Sequence, residues 1–502
     1  SLSTYVNDST FFVCLAGPWA HADDGGSIRD VRAWANRGWC RLENLANALS
    51  VSGKRNLIVA ESVSQVVSYG PLGLVAHGWM IDQVASKGAQ FTYEADRTAL
   101  GPLIAQMIAT RKAHALRVGG EDQSVWYRML HARTAYLLEG TGHEVLQEDT
   151  LNEWLSAMRF TSAFDEEKRT GLSPLFFAAM ANRVDLASQL LDLGADLNVR
   201  RKGTDYPEFM LGVHNTPVAG GTLLLNIAYQ IESPEMLQLL IARGADIRGY
   251  TPCTLLDNAC IYGRPGNVDA LLAADPTLED LTSDMLGTQI FYPLSYLLFM
   301  GQLDTFEHVL REHPTVMRRY LDRGRAGPTN CLSTAAACVV GSGNVELLKR
   351  VLSESSVDVN WVGEGSDKAM FSRFIIPVLD LILKCKRGTP SAFMAFFVFA
   401  GPRGAAPLHL ASYSGNLGAV EVLLEHNADV HSTKHAYRMT PLHLAAMNGH
   451  EAVVDALLKA GARTDAKALG GKTPRDWAEQ RGHTALAERL LVAEARQKRE
   501  RK

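Results

Sequence analysis

The chain has 502 residues, of which 47% are hydrophobic and 21% charged, with a formal net charge of −4. This is ordinary for a globular protein, and the length calls for more than one folding unit. So even a charge balance excludes a global field drawing the chain to nucleic acid or an anionic membrane.

The seven cysteines (Cys14, Cys40, Cys253, Cys260, Cys331, Cys338 and Cys385) are odd in number and scattered, which points to free thiols in a reducing, intracellular setting. No CxxC or HxxxH pair completes a zinc site, so Cys253, Cys260, Cys331 and Cys338 read as small core residues and no metal or cofactor is expected. An apolar strand follows soon after Ser1, so the chain reads as part of a longer protein. FFVCLAG lacks the basic flank of a secretory signal.

In chain order, STFFVCLAG (9–17) reads as a buried strand and AHADDGGSIRD (20–30) as a polar loop. VRAWANRGWCRLENLANALS (31–50) is predicted helical from Trp34 or Trp39, with Trp39, Leu42, Leu45, Ala46 and Leu49 on one face. NLIVAES (56–62) is a second buried strand, and strand–helix–strand predicts a right-handed crossover in a parallel sheet. Three helices are expected over 99–116, 124–140 and 150–160, leading into the C-terminal two thirds of the chain and capping it.

From about residue 166 the sequence repeats itself. GAAPLHLASYSGNLGAVEVLLEHNADV (404–430) and RMTPLHLAAMNGHEAVVDALLKAGARTDA (438–466) carry PLHLA cores 34 residues apart, and GKTPRDWAEQRGHTALAERLL (471–491) follows. Thr440 suits a helix cap and Pro441 the first turn, while Gly449 and Gly461 end the two helices of a hairpin. Such a hairpin cannot bury its own apolar face and stacks on its neighbour. Weaker copies lie at 171–198, 221–247, 251–275, 292–313, 331–360 and 375–401, giving about nine units. The stretch 374–401 is the most apolar, but Pro377, Asp380 and KCKRGTP interrupt it below the roughly 18 residues of a membrane helix, so it reads as two buried helices. The third copy is more polar, as a terminal cap must be, and the tail EARQKRERK (494–502) continues as a charged helix or frays, a solvated end in preference to a site for acidic partners.

The TPLH signature and the 33- to 34-residue period resemble the ankyrin repeat. That resemblance implies a helical solenoid that binds proteins through hairpin tips and concave helices. It also implies that His409 and His443 tie one repeat to the next by hydrogen bonds to turn backbone. In the last units the exposed set is then Tyr413, Ser414, His431, Lys434, His435, Tyr437, Arg438, Met447, Asn448, Lys467 and Lys472, a basic group suited to an acidic peptide or surface. The long insertion 198–220, with Arg200, Arg201, Lys202, Tyr206 and Phe209, is either a second epitope or disordered.

The strand, loop and W-C-x-x-E of RGWCRLE (37–43) are similar to the middle of Toll/interleukin-receptor (TIR) domains. In enzymatic members the Glu at this place helps cleave the nicotinamide–ribose bond of NAD, and here it is Glu43. A carboxylate beside an oxocarbenium-like centre is sound chemistry. The structural alternative makes Trp39 and Cys40 buried anchors and Glu43 a helix-start carboxylate favoured by the dipole.

The expected architecture is mainly α: an ankyrin-repeat solenoid over 166–491, preceded by a partial TIR-like α/β module over 1–78 and a helical linker and cap over 79–165, and followed by a charged tail over 492–502. The expected function is an intracellular scaffold for protein partners, with no enzyme activity, nucleic acid or membrane insertion. A TIR-like NAD-cleaving or NAD-sensing enzyme regulated by the repeats is the alternative, and a membrane-associated adaptor using 374–401 is a second.

Overall fold

A computed structural model of the chain describes residues 12–15, 19–20, 28–29, 37–49, 57–62, 65–69, 91–168, 170–199, 220–249, 254–281, 292–323, 344–354, 359–360, 405–433, 438–468 and 470–500. Its contacts divide into two units, residues 1–250 and 251–502.

In the first unit, β1 (Phe12–Leu15), β2 (Trp19–Ala20) and β3 (Ile28–Arg29) precede helix α1 (Gly38–Ala48) and strands β4 (Leu57–Ser62) and β5 (Gln65–Tyr69). β1 and β4 are parallel, with Phe12 opposite Leu57, as the strand–helix–strand pattern predicts. β5 adds antiparallel to β4, and β2 with β3 forms a separate ladder inside what the sequence suggested was a loop. On α1, Leu42, Leu45 and Ala46 are buried, as is Leu49 just past its end.

Trp39 departs from the expected buried stripe: it is 43% exposed, and its indole Nε1 donates to Asp96 Oδ2 at 3.0 Å. It sits at the very start of the helix, where the apolar stripe gives way to a carboxylate from the next element. The preceding glycine has a different reason. A Cβ on Gly38 would lie 1.8 Å from the ring atom Cζ of Phe91, so only glycine admits this ring.

Helices α2 (Ala95–Val118) and α3 (Glu121–Leu138) pack together. Arg111 and Lys112 of α2 lie over the rings of Trp126 and Tyr127 of α3, at 4.4 and 5.3 Å. A Thr150–Glu153 capping box starts α4 (Leu151–Ala157). Arg128 of α3 serves the other end of α4: its Nε and Nη2 donate to the Met158 and Arg159 carbonyls at 2.9 and 2.7 Å.

The first hairpins are α5 (Pro174–Met180) with α6 (Val184–Asp192) and α7 (Gly221–Gln230) with α8 (Pro234–Ala242). First helix packs on first helix and second on second. α3 also packs on α5, taking the place of a preceding first helix and capping the stack as expected. At the turn inside the first hairpin Asn182 stands in for glycine at φ 56°, a left-handed position that Asn tolerates.

The second unit continues with α9 (Leu255–Ile261), α10 (Pro265–Ala274), α11 (Ser295–Met300), α12 (Leu303–Glu312), α13 (Pro314–Arg323) and α14 (Val345–Glu354). Three complete hairpins follow: α15 (Pro407–Ser414) with α16 (Leu417–Glu425), α17 (Pro441–Met447) with α18 (Glu451–Lys459), and α19 (Pro474–Gln480) with α20 (Thr484–Glu500). α13 has no counterpart in the repeat; it buries Met317 and Tyr320, and the Tyr320 hydroxyl donates to Ser295 Oγ at 3.3 Å.

α14 packs directly on α16. Asn360 seals that junction: its Nδ2 donates to the Asn427 carbonyl at 3.1 Å, and its Oδ1 accepts from the Asp429 N–H at 2.5 Å. Helix α14 and the hairpin of α15 and α16 are therefore in direct contact, and the unit expected at 375–401 lies outside the described residues.

Of the two courses open to the tail, a charged helix or a frayed end, its described residues take the helix. α20 runs to Glu500, and Gln497 turns back on the hairpin before it, accepting from Thr464 N and Oγ1 at 3.2 and 2.9 Å and donating to the Ala462 carbonyl at 2.8 Å.

Candidate interaction surface

The three C-terminal hairpins are joined by tips that carry the chain from each second helix to the next first helix. Two histidines fix these tips. His409 Nε2 lies 3.0 Å from both the Ser432 and Met439 carbonyls, so this nitrogen carries the proton and donates. His443 Nδ1 accepts from the Thr440 N–H at 3.0 Å and Thr440 Oγ1 at 2.8 Å, which leaves Nε2 protonated to donate to the Lys472 carbonyl at 3.1 Å. Both rings are buried, and burial pushes each down to about 4, against the raising effect of their backbone hydrogen bonds. They are neutral ties between repeats, as the repeat resemblance implied.

Beneath the tips lies one apolar cluster: Tyr413, Met439, Leu444, Met447 and Ala468, with Trp477 of the next hairpin packed against it. The Lys472 ammonium sits 4.9 Å from the centre of the Trp477 ring and donates to Gln480 Oε1. Asn448 Nδ2 and His450 Nε2 both donate to the Tyr413 carbonyl, at 2.8 and 2.9 Å, stitching the second of these hairpins to the first.

The structure sorts the expected binding residues into three groups. Ser414, His431, Arg438 and Lys467 are exposed, and Asn448 and Lys472 are half-buried and already bonded as described. Tyr413 and Met447 are corrected: at 6% and 9% exposure they belong to the cluster. They close the ends of α15 and α17, positions that read as rim in the sequence, but they pack with Met439, Leu444 and Ala468 in the cluster that Trp477 lies against. Burial pushes the Tyr413 phenol up to about 12, with Arg481 acting in the opposite direction. Lys434, His435 and Tyr437, and the insertion residues Arg200, Arg201, Lys202, Tyr206 and Phe209, lie outside the described residues.

Sequence reasoning missed Met439, Trp477 and Arg481. Arg481 was discoverable, since it stands seven residues after Pro474 as Asn448 does after Pro441 and Ser414 after Pro407.

At the other candidate, RGWCRLE, Glu43 lies in the second turn of α1, whose first turn holds no acidic residue. The dipole argument for it is thereby corrected. Glu43 is half-buried, and burial raises its carboxyl. Cys40 is half-buried rather than a fully buried anchor; burial first, then the Glu43 charge, push its thiol up to about 11. Cys260 is buried, as a core reading expects. Among the described residues no group of three or more His, Cys, Asp or Glu is arranged to hold a metal ion, and no helix is long and apolar enough to cross a membrane.

Compared with known proteins, residues 408–500 match a family model described as ankyrin repeats in three copies, and residues 170–199 match one described as a single ankyrin repeat. No curated protein matches the chain. With helices paired in stacked hairpins, histidines tying tip to tip, and both matches falling on those hairpins, the chain carries ankyrin repeats over residues 170–199 and 408–500.

Proposed function

We propose that the chain is a scaffold that holds an acidic protein partner against the tips and first-helix ends of its C-terminal hairpins, residues 405–500. Ankyrin repeats are protein-interaction modules, because the stack supplies stability and leaves its surface free to vary. The observation that carries the choice of face is the pair Arg438 and Lys467. Both are exposed, neither has a hydrogen-bond or ion-pair partner among the described residues, and they flank one apolar cluster through their neighbours Met439 and Ala468. Exposed cations beside a firm apolar floor suit a partner that brings carboxylates.

The test is affinity capture with the full chain, followed by cross-link mapping of the captured partner. Cross-links should fall within 405–500, and the charge reversal Arg438→Glu with Lys467→Glu should cut capture about tenfold or more with an unchanged melting curve. Cross-links confined to residues 1–250, or capture that ignores the reversal, would sink the proposal.

Under this reading the chain performs no chemistry, and Glu43 packs α1. A carboxylate that stabilises a developing cation must be ionised, whereas the burial of Glu43 favours its neutral form. Nicotinamide release from NAD by the purified chain, lost in Glu43→Gln, would reinstate the enzyme alternative.

A further inference from the structure

Two first helices opened by a capping Ser or Thr are preceded by a left-handed glycine: Gly171 stands two residues before Ser173 at φ 69°, and Gly471 two before Thr473 at φ 76°. In sequence Gly404 stands in the same place before Ala406. Before Thr440 the residue is Arg438, held at φ 51°. A long side chain there is strained, because Cβ crowds the following carbonyl, and arginine lacks the short polar group with which Asn or Asp offsets this locally.

The fold gains nothing visible in return. Arg438 is exposed and has no hydrogen bond or ion pair among the described residues. The backbone cannot relax either: next to it Met439 is buried in the apolar cluster and its carbonyl accepts from His409 at 3.0 Å. Strain kept where glycine would serve, and returned by no hydrogen bond or ion pair among the described residues, marks a side chain retained for something outside the fold.

We propose that Arg438 is the anchor of the binding surface, taking a carboxylate of an extended acidic segment in its guanidinium fork, with Lys467 on the adjacent tip as the second cation. This rests on the reading that 405–500 binds protein. A guanidinium meets a carboxylate through two parallel hydrogen bonds, which a lysine at the same place cannot do. A dense polyanion fits less well, because Asp429 and Asp465 stand on the same tips and the chain carries a net charge of −4. A segment offering one or two carboxylates avoids that repulsion.

The experiment selects a random peptide display library on the full chain and on the variants Arg438→Gly and Arg438→Lys. Cross-linking of the selected peptides and thermal melting of each protein accompany it. The wild type should select peptides with Asp or Glu at one fixed position and cross-link them within 405–500. Arg438→Gly should lose that preference and weaken a selected peptide about ten- to hundredfold, while its melting midpoint stays level or rises by up to about 2 °C. Arg438→Lys should keep the charge and still lose about tenfold.

An acidic preference that survives Arg438→Gly overturns the proposal, and so does a lowered melting midpoint, which would show that Arg438 supports the fold. Peptides without carboxylates that still cross-link within 405–500 sink the anchor and leave the scaffold reading standing. No selection at all, or cross-links elsewhere, removes both.

Discussion

Acid should loosen the C-terminal stack before anything dissolves its apolar core. His409 and His443 are each held near 4 by burial, against 6.5 for an ordinary imidazole. A group whose folded value is depressed contributes stability that is complete above its unfolded value and fades as pH falls toward the folded one. The window is therefore pH 6.5 down to 4. Between pH 7 and pH 5 each ring loses about 2 kcal/mol, and the two together about 4 kcal/mol, a large share of a typical domain's stability. Asp429 near His409 and Asp476 near His443 act in the other direction and do not cancel the burial.

Hydrogen exchange read by mass spectrometry on the full chain, corrected for intrinsic rate at each pH, measures this. Peptides from 405–500 should lose protection by roughly a thousandfold from pH 7 to pH 5. The double variant His409→Phe with His443→Phe should flatten most of that slope; phenylalanine is a fair replacement, because Phe176 occupies the equivalent buried position three residues after Ser173. Protection that does not change with pH, or a slope that survives in the double variant, would show that these rings are not the titrating ties described.

Three further changes separate packing from display. Tyr413→Ala should cost the C-terminal hairpins about 3–4 kcal/mol in urea unfolding, because it opens the cluster under the tips. Ser173→Ala should stay within about 0.5 kcal/mol by the same measurement: Ser173 Oγ is buried without a hydrogen-bond partner among the described residues, since Phe176 offers no acceptor where His443 serves Thr440. Gln497→Ala should cost about 1–2 kcal/mol and release the amides of 492–500 to exchange, because it removes the bonds that hold α20 to Ala462 and Thr464; unchanged exchange there would mean the extension stands by itself.

The stacked hairpins were legible because their signals are local. Pro441 after Thr440, the paired alanines, and Asn182 or Gly449 at the inner turn each state a backbone requirement within a few residues. What escaped depends on partners distant in sequence. Trp39 falls on the apolar face of α1 by helical spacing, yet Asp96, 57 residues away, draws its indole to the surface. Tyr413 reads as rim until Leu444 and Met447, about thirty positions later, join it in one buried cluster. α13 follows its neighbour after a single residue, His313, so the repeat period gave no hint of it. Arg438 was visible as a basic tip residue, but its left-handed backbone was not, since only the folded turn shows which position demands glycine.

The direct meeting of α14 and α16 bears on how the chain could be cut and rejoined. Asn360 and the two helices meet directly, so each side of the junction presents a recognition surface of its own. The same surfaces should then recognise each other across a gap: fragments ending near Asn360 and beginning near Ala405 are natural halves for reassembly in trans, and new termini opened between them would make a circular permutant with its stacking order intact.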